Sequence, residues 1–131
     1  MEMKISFGSG KKVIAEFNGN TIITDKPIKG GGEGTAPSPF DLFLASIGTC
    51  AGVYVKLFCD QRNIPTEGIS LIQKMEYNHN THLVSAISIE ICLPSDFPEK
   101  YKEAIVNSAE LCAVKRHLHN PPKITVTSKI G

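Results

Sequence analysis

Residues 38–62, SPFDLFLASIGTCAGVYVKLFCDQR, decide how this chain folds. Ser38 suits an N-cap, Pro39 the first helical position, and Asp41 stands where a carboxylate completes a capping box. From Leu42 to Val55 no charged residue occurs, and the run closes on Lys56, Asp60 and Arg62. A surface helix carries a polar face over about half its circumference; this one has almost none until its last turns, so it is expected to be buried on most sides. Its uncharged run falls short of the roughly 20 residues that span a bilayer, which points to a central helix and not a membrane anchor. At about 100° per residue, Ala45, Gly48 and Gly52 form a small-residue stripe. Phe43, Ile47, Tyr54 and Leu57 fall roughly opposite, with Cys50 among them. A cysteine there is most simply a buried, inert thiol.

Around this helix the periodicities predict the remaining elements. Residues 1 to 25 read as three short strands: Ile5 and Phe7 alternate with polar residues, then Val13, Ala15 and Phe17, with Asn18-Gly19 a strong hairpin turn before Thr21 to Thr24. Residues 26 to 37 hold Gly30-Gly31-Gly32 and Gly34. A phosphate loop requires Gly-Lys-Ser/Thr at the helix start, where this chain has Ala36-Pro37-Ser38-Pro39, so a mobile connection is expected instead. After the central helix, Ile69, Leu71, Gln73, Met75 and Tyr77 mark a strand with one buried face. Leu83, Ser85, Ile87, Ile89, Ile91 and Leu93 mark its return. Phe97, Tyr101, Ile105 and Ser108 give an amphipathic helix, residues 112–119 a short one, and residues 123–130 a last strand. The order β-β-β-α-β-β-α-α-β is α+β, and 131 residues suit a single domain spanning 1–131.

Composition narrows the chemistry. A net charge of +1 with mixed signs gives no footprint for nucleic acid or a membrane surface. The N-terminus lacks the apolar run of a signal peptide, so a cytoplasmic location with reduced thiols is expected. The four cysteines, Cys50, Cys59, Cys92 and Cys112, show no C-x-x-C pair. Cys112, His117 and His119 match no common zinc spacing, and His79 and His82 read as solvated loop residues. A short helix starting at Ala113 would aim its free amides at the Cys112 sulfur and lower that thiol's pKa, helped by Lys115 and Arg116. A cysteine merely packed between two helices is the plainer alternative.

The segment PSPFDLFLASIGTC, followed sixty-two residues after Cys50 by CAVKRHL, resembles the OsmC/Ohr family of osmotically inducible and organic hydroperoxide resistance proteins, most of all its YhfA-type redox protein branch. The order of elements fits that family over nearly the whole chain. The resemblance implies an intertwined homodimer in which two sheets wrap around the long buried central helices, with active sites at the interface. It implies thiol-dependent reduction of organic hydroperoxides, Cys50 being peroxidatic and Cys112 resolving. A dithiol or lipoyl-type reductant is implied, and no metal, flavin or haem cofactor. Phe40 stands where the peroxidases carry Glu, Ala113 where they carry Pro, and the N-terminal strands hold no Arg. Lys12, Lys26, Lys29 or Arg116 must then supply a positive charge for Cys50. The alternative is a non-catalytic dimeric protein that binds an apolar or acyl ligand in the same cleft, with both cysteines structural.

Overall fold

A computed structural model describes residues 1–131. The chain forms two compact units, Met1–Ala45 and Ser46–Gly131.

In the first unit, strands β1 (Lys4–Phe7), β2 (Val13–Phe17) and β3 (Asn20–Thr24) make an antiparallel meander in the order β1-β2-β3. Asn18 and Gly19 both have positive φ, 47° and 76°, the conformation a type I′ hairpin requires and Asn-Gly readily supplies. The glycine-rich connection that follows is tied down rather than mobile. Asp25, 1% exposed, is its anchor. The carboxylate accepts from the Lys26 amide at 2.7 Å, the Glu33 amide at 3.3 Å, and the Thr35 amide and hydroxyl at 3.2 and 2.9 Å. Gly32 is required by closeness, since a Cβ there would lie 2.0 Å from the Lys26 carbonyl oxygen. Ser38 caps the next helix as expected, its Oγ accepting from the Asp41 amide at 3.2 Å.

Helix α1 (Pro39–Asp60) runs on into the second unit, followed by the antiparallel strands β4 (Ser70–Asn78) and β5 (Leu83–Cys92). Helix α2 (Lys102–Ala109) is entered through a single 3-10 turn at Glu99–Tyr101, and α3 (Ala113–His119) follows. The core is Val55, Phe58 and Cys59 of α1 with Phe97 and Ile105, flanked by Leu71, Ile91 and Leu93 from the hairpin. Arg62 closes one end, its guanidinium 3.7 Å from the Phe58 ring centroid and donating to the Phe58 carbonyl at 3.0 Å, a cation–π contact. Gly48 makes room for the Gln73 side chain, whose Oε1 would be 2.4 Å from a Cβ at that position.

Three further expectations are corrected. First, α1 is not buried on most sides: its buried residues are Ile47, Ala51, Val55, Phe58 and Cys59, one stripe, while Val53 and Leu57 are about half exposed. By length and apolarity α1 could cross a membrane, but a core helix meets the same test, and this stripe packs in a core. Second, the β4–β5 register shifts at Glu76/Tyr77, where Ser85 is the extra residue and its hydroxyl donates to the Glu76 carbonyl at 3.2 Å. A bulge inverts side-chain alternation beyond it, so Leu83 is exposed and Val84 takes the inner side. Third, residues 123–130 form no strand, and Ile124, Val126 and Ile130 are exposed. Alternation supplies a face, but a strand exists only beside a hydrogen-bonding neighbour.

Truncating Ile105, which is fully buried, to Ala should cost about 3 kcal/mol, read as a lowered urea midpoint with an unchanged slope. Burial pushes the Asp25 carboxyl up, but its four hydrogen bonds outweigh this and hold it below the ordinary value. A depressed carboxyl contributes stability that is complete above the unfolded pKa, about 3.9, and lost as pH falls through the folded one. Hydrogen exchange at the Glu33 and Thr35 amides should therefore stay slow from neutral pH to about 4 and quicken below. In Asp25→Asn it should be fast throughout.

Candidate active site

The two cysteines of the quoted segments meet in the second unit. Cys50 lies at the start of the fourth turn of α1, and Cys112 is the N-cap of α3. A helix start leaves its first amides without intrahelical partners, and here the two sulfurs take three of them. The Lys115 amide donates to the Cys112 sulfur at 3.5 Å. The Ala113 and Val114 amides and the Cys112 thiol face the Cys50 sulfur and favour its charged form, the Val114 amide acting on Cys112 as well. That thiol has a second acceptor in reach, the Ile47 carbonyl at 3.9 Å. Cys112 is 2% exposed, whereas Cys50 is partly exposed, and both are free thiols.

The electrostatics follow from this division of donors. Burial raises the Cys50 pKa, but the Val114 amide, the Cys112 thiol, the Ala113 amide and the charge of Arg116 together bring it below the ordinary thiol value. Cys112 moves the other way. Its burial dominates, and giving its proton to a bond with Cys50 disfavours a second negative charge alongside. Cys50 is therefore the more acidic member of the pair. This reverses the expectation that α3 would activate Cys112: the Lys115 and Val114 amides do favour its charged form, but burial and the neighbouring Cys50 outweigh them. Of the cations considered, Arg116 acts on Cys50, while Lys12 is engaged by Glu33 at 3.1 Å.

The other thiols lie elsewhere. Cys59 is fully buried in the core, and burial pushes its pKa up, reinforced by Asp60. Cys92 sits at the end of β5, 3.9 Å from a Glu90 carboxylate oxygen. His117 is bound to the Ala113 carbonyl at 2.6 Å, and no group of three or more His, Cys, Asp or Glu residues is placed to hold a metal ion. Beside the thiol pair runs an apolar groove of about 520 Å³. Ile47 and Ala51 of α1, Ile89 of β5, Val106 of α2 and Leu118 of α3 form its walls, with Cys112 among them. The Lys115–Glu110 ion pair lies at its border. Pattern reading did not find the groove, because its walls come from four separate elements.

An α+β chain with two thiols from separate segments sharing one helix start defines a class of fold and site. The OsmC-like protein family model matches residues 31–127, and the chain belongs to that family. No curated protein matches it. Among solved structures it is similar to a Psychrobacter arcticus protein named for osmotic stress induction and detoxification response. That likeness has a TM-score of 0.73 and 24% identity, over 87% of this chain and 85% of that one. An OsmC-like protein from Mycoplasma pneumoniae gives a TM-score of 0.69 at 14% identity, over 92% and 87%. An organic hydroperoxide resistance protein OsmC from Legionella pneumophila gives 0.57 at 19%, over 89% and 87%. At these identities the likenesses establish the fold.

Proline fits the first position of a helix but has no N–H, so Ala113→Pro removes one donor to Cys50 while leaving α3 in place. It should raise the Cys50 pKa and slow iodoacetamide labelling of Cys50 at pH 7 by about ten-fold, the scale of one hydrogen bond to a charged group. Arg116 is exposed, so Arg116→Gln should slow labelling by less than about five-fold, an effect that fades with added salt.

Proposed function

We propose that this protein is a thiol-dependent hydroperoxide reductase in which Cys50 is the peroxidatic and Cys112 the resolving cysteine. The observation that carries the reading is the pairing of Cys50 and Cys112 at the start of α3, with Cys50 the more acidic of the two. The Cys50 thiolate attacks one oxygen of the peroxide and the O–O bond breaks. The alkoxide leaves with a proton from water, and Cys50 becomes a sulfenic acid. Cys112 then attacks that sulfur, water leaves, and a Cys50–Cys112 disulfide remains. Two thiol equivalents from a dithiol reductant restore the pair. Organic peroxides are the preferred substrates in this reading, consistent with the apolar groove.

The family match runs across both compact units, which supports a single domain. The proposed assembly is a homodimer, supported by the exposed side of α1 and by the unpaired residues 123–130, whose alternating apolar side chains need a neighbouring strand. A reducing cytoplasm suits the cycle. The second reading, a non-catalytic carrier of an apolar or acyl ligand, is favoured by the groove alone.

One equivalent of cumene hydroperoxide should lower the intact mass by two hydrogens, mapped to a Cys50–Cys112 peptide. An unchanged mass in folded protein supports the carrier instead. Cys50→Ser should abolish peroxide consumption and Cys112→Ser should accumulate a sulfenic acid on Cys50 that dimedone traps. Retained turnover in Cys50→Ser would overturn the assignment.

A further inference from the structure

Two sulfurs from separate segments meet, and few other donors surround them. The Cys112 sulfur lies 3.9 Å from the Ile47 carbonyl, one turn of α1 before Cys50, and its thiol faces the Cys50 sulfur. Neither cysteine is joined in a disulfide. No carboxylate or imidazole completes a larger donor set: the His117 ring is turned to the Ala113 carbonyl, Glu110 is held by Lys115, and no three His, Cys, Asp or Glu side chains converge. Cys112 is 2% exposed, which keeps water from serving as a further ligand on its side. Zinc is held tetrahedrally by N, S or O donors, and calcium and magnesium by shells of oxygens. Soft thiolates with no further donors suit a soft monovalent ion instead, and among biological metals thiolate ligands select Cu(I).

We propose that Cys50 and Cys112 together bind one Cu(I) ion in two-coordinate form. The ion displaces the proton of each thiol, two Cu–S bonds form, and both protons go to solvent with no change of oxidation state. The product is a bis-thiolate complex with a single net negative charge. Negative charge among apolar walls needs compensation, which the Arg116 guanidinium supplies, helped by the amides that face the sulfurs. One ligand belongs to α1 and the other caps α3, so the ion ties two distant segments together. The same sulfurs cannot hold the ion and attack a peroxide, so copper occupancy and peroxide reduction exclude each other. The site needs only the facing thiols, and either reading can fail without the other.

The test titrates the full chain, reduced and freed of small thiols under argon, with tetrakis(acetonitrile)copper(I) against the chromophoric chelator bathocuproine disulfonate. One Cu(I) per chain should resist the chelator, X-ray absorption should show two sulfur neighbours and no nitrogen or oxygen, and loading should raise the Tm. In the loaded protein Cys50 should lose its reactivity to iodoacetamide while Cys92 keeps its own, a readout that needs no variant. Cys50→Ser and Cys112→Ser should each weaken binding by more than about 100-fold, the upper end of what losing a group outside the ligand set costs. Cys92→Ser should bind as the native chain does, and one equivalent of Zn(II) should pass to nitrilotriacetate. Loss of Cu(I) to the chelator, a shell of three or more donors, labelling of Cys50 in the loaded protein, or retention of Zn(II) overturns the copper site. If diamide still joins Cys50 to Cys112 in that case, the peroxidase reading stands; if it does not, both fall.

Discussion

Three amide N–H groups at the start of α3 have no carbonyls to bond, and two sulfurs take them. The Ala113 amide faces Cys50, the Lys115 amide Cys112 and the Val114 amide both, and the Cys112 thiol favours charge on Cys50. The polarity of the pair comes from the deeper burial of Cys112, its thiol turned to Cys50, and the charge of Arg116 on Cys50. An isolated thiol among apolar side chains in the middle of a helix would hold its proton more tightly than a free one. Cys50 escapes that penalty only because a different segment delivers donors to it. The core of α1, α2 and the β4–β5 hairpin serves to fix the start of α3 against the fourth turn of α1. Distances within the site are therefore set by Val55, Phe58, Phe97 and Ile105, residues that have no chemistry of their own.

The sequence made the elements legible where local physics decides them. Asn18-Gly19 specifies its turn through positive φ, Ser38 caps α1, and Cys112 stands one residue ahead of α3, as the sequence implied. What it left hidden was set by contacts between distant residues. The bulge at Ser85 shifts the alternation of β5 without any glycine to announce it. Asp25 looks like an ordinary turn residue until four donors from the following loop converge on it. The direction of the two thiol shifts could not be read, because a helix start can serve either sulfur and only the packing of α1 against α3 assigns the amides. Spacing alone left Cys50 and Cys112 as plausible core residues; the paired motifs raised them above that.

Backbone amides and one arginine of α3 make up the polar surroundings of Cys50. Position 40 is Phe, and the N-terminal strands hold no arginine. Ala113, however, contributes an amide that a proline could not, and Arg116 contributes charge from α3. Backbone donors are fixed by the helix and lose little entropy in use, whereas a long cationic side chain must be ordered first. A site organised this way depends less on salt than one built on an exposed ion pair.

The most direct measurement is the pH dependence of alkylation at each cysteine, followed by peptide mass spectrometry in a Cys59→Ala, Cys92→Ser background so that only the pair reports. Because the two groups are coupled, apparent pKa values belong to the pair, and the identity of the first peptide modified is what decides. Cys50 should react first, with an apparent pKa below the roughly 8.5 of a free thiol, while Cys112 stays protected to higher pH. Modification of Cys112 first, or a Cys50 that titrates at or above the free-thiol value, would contradict the account.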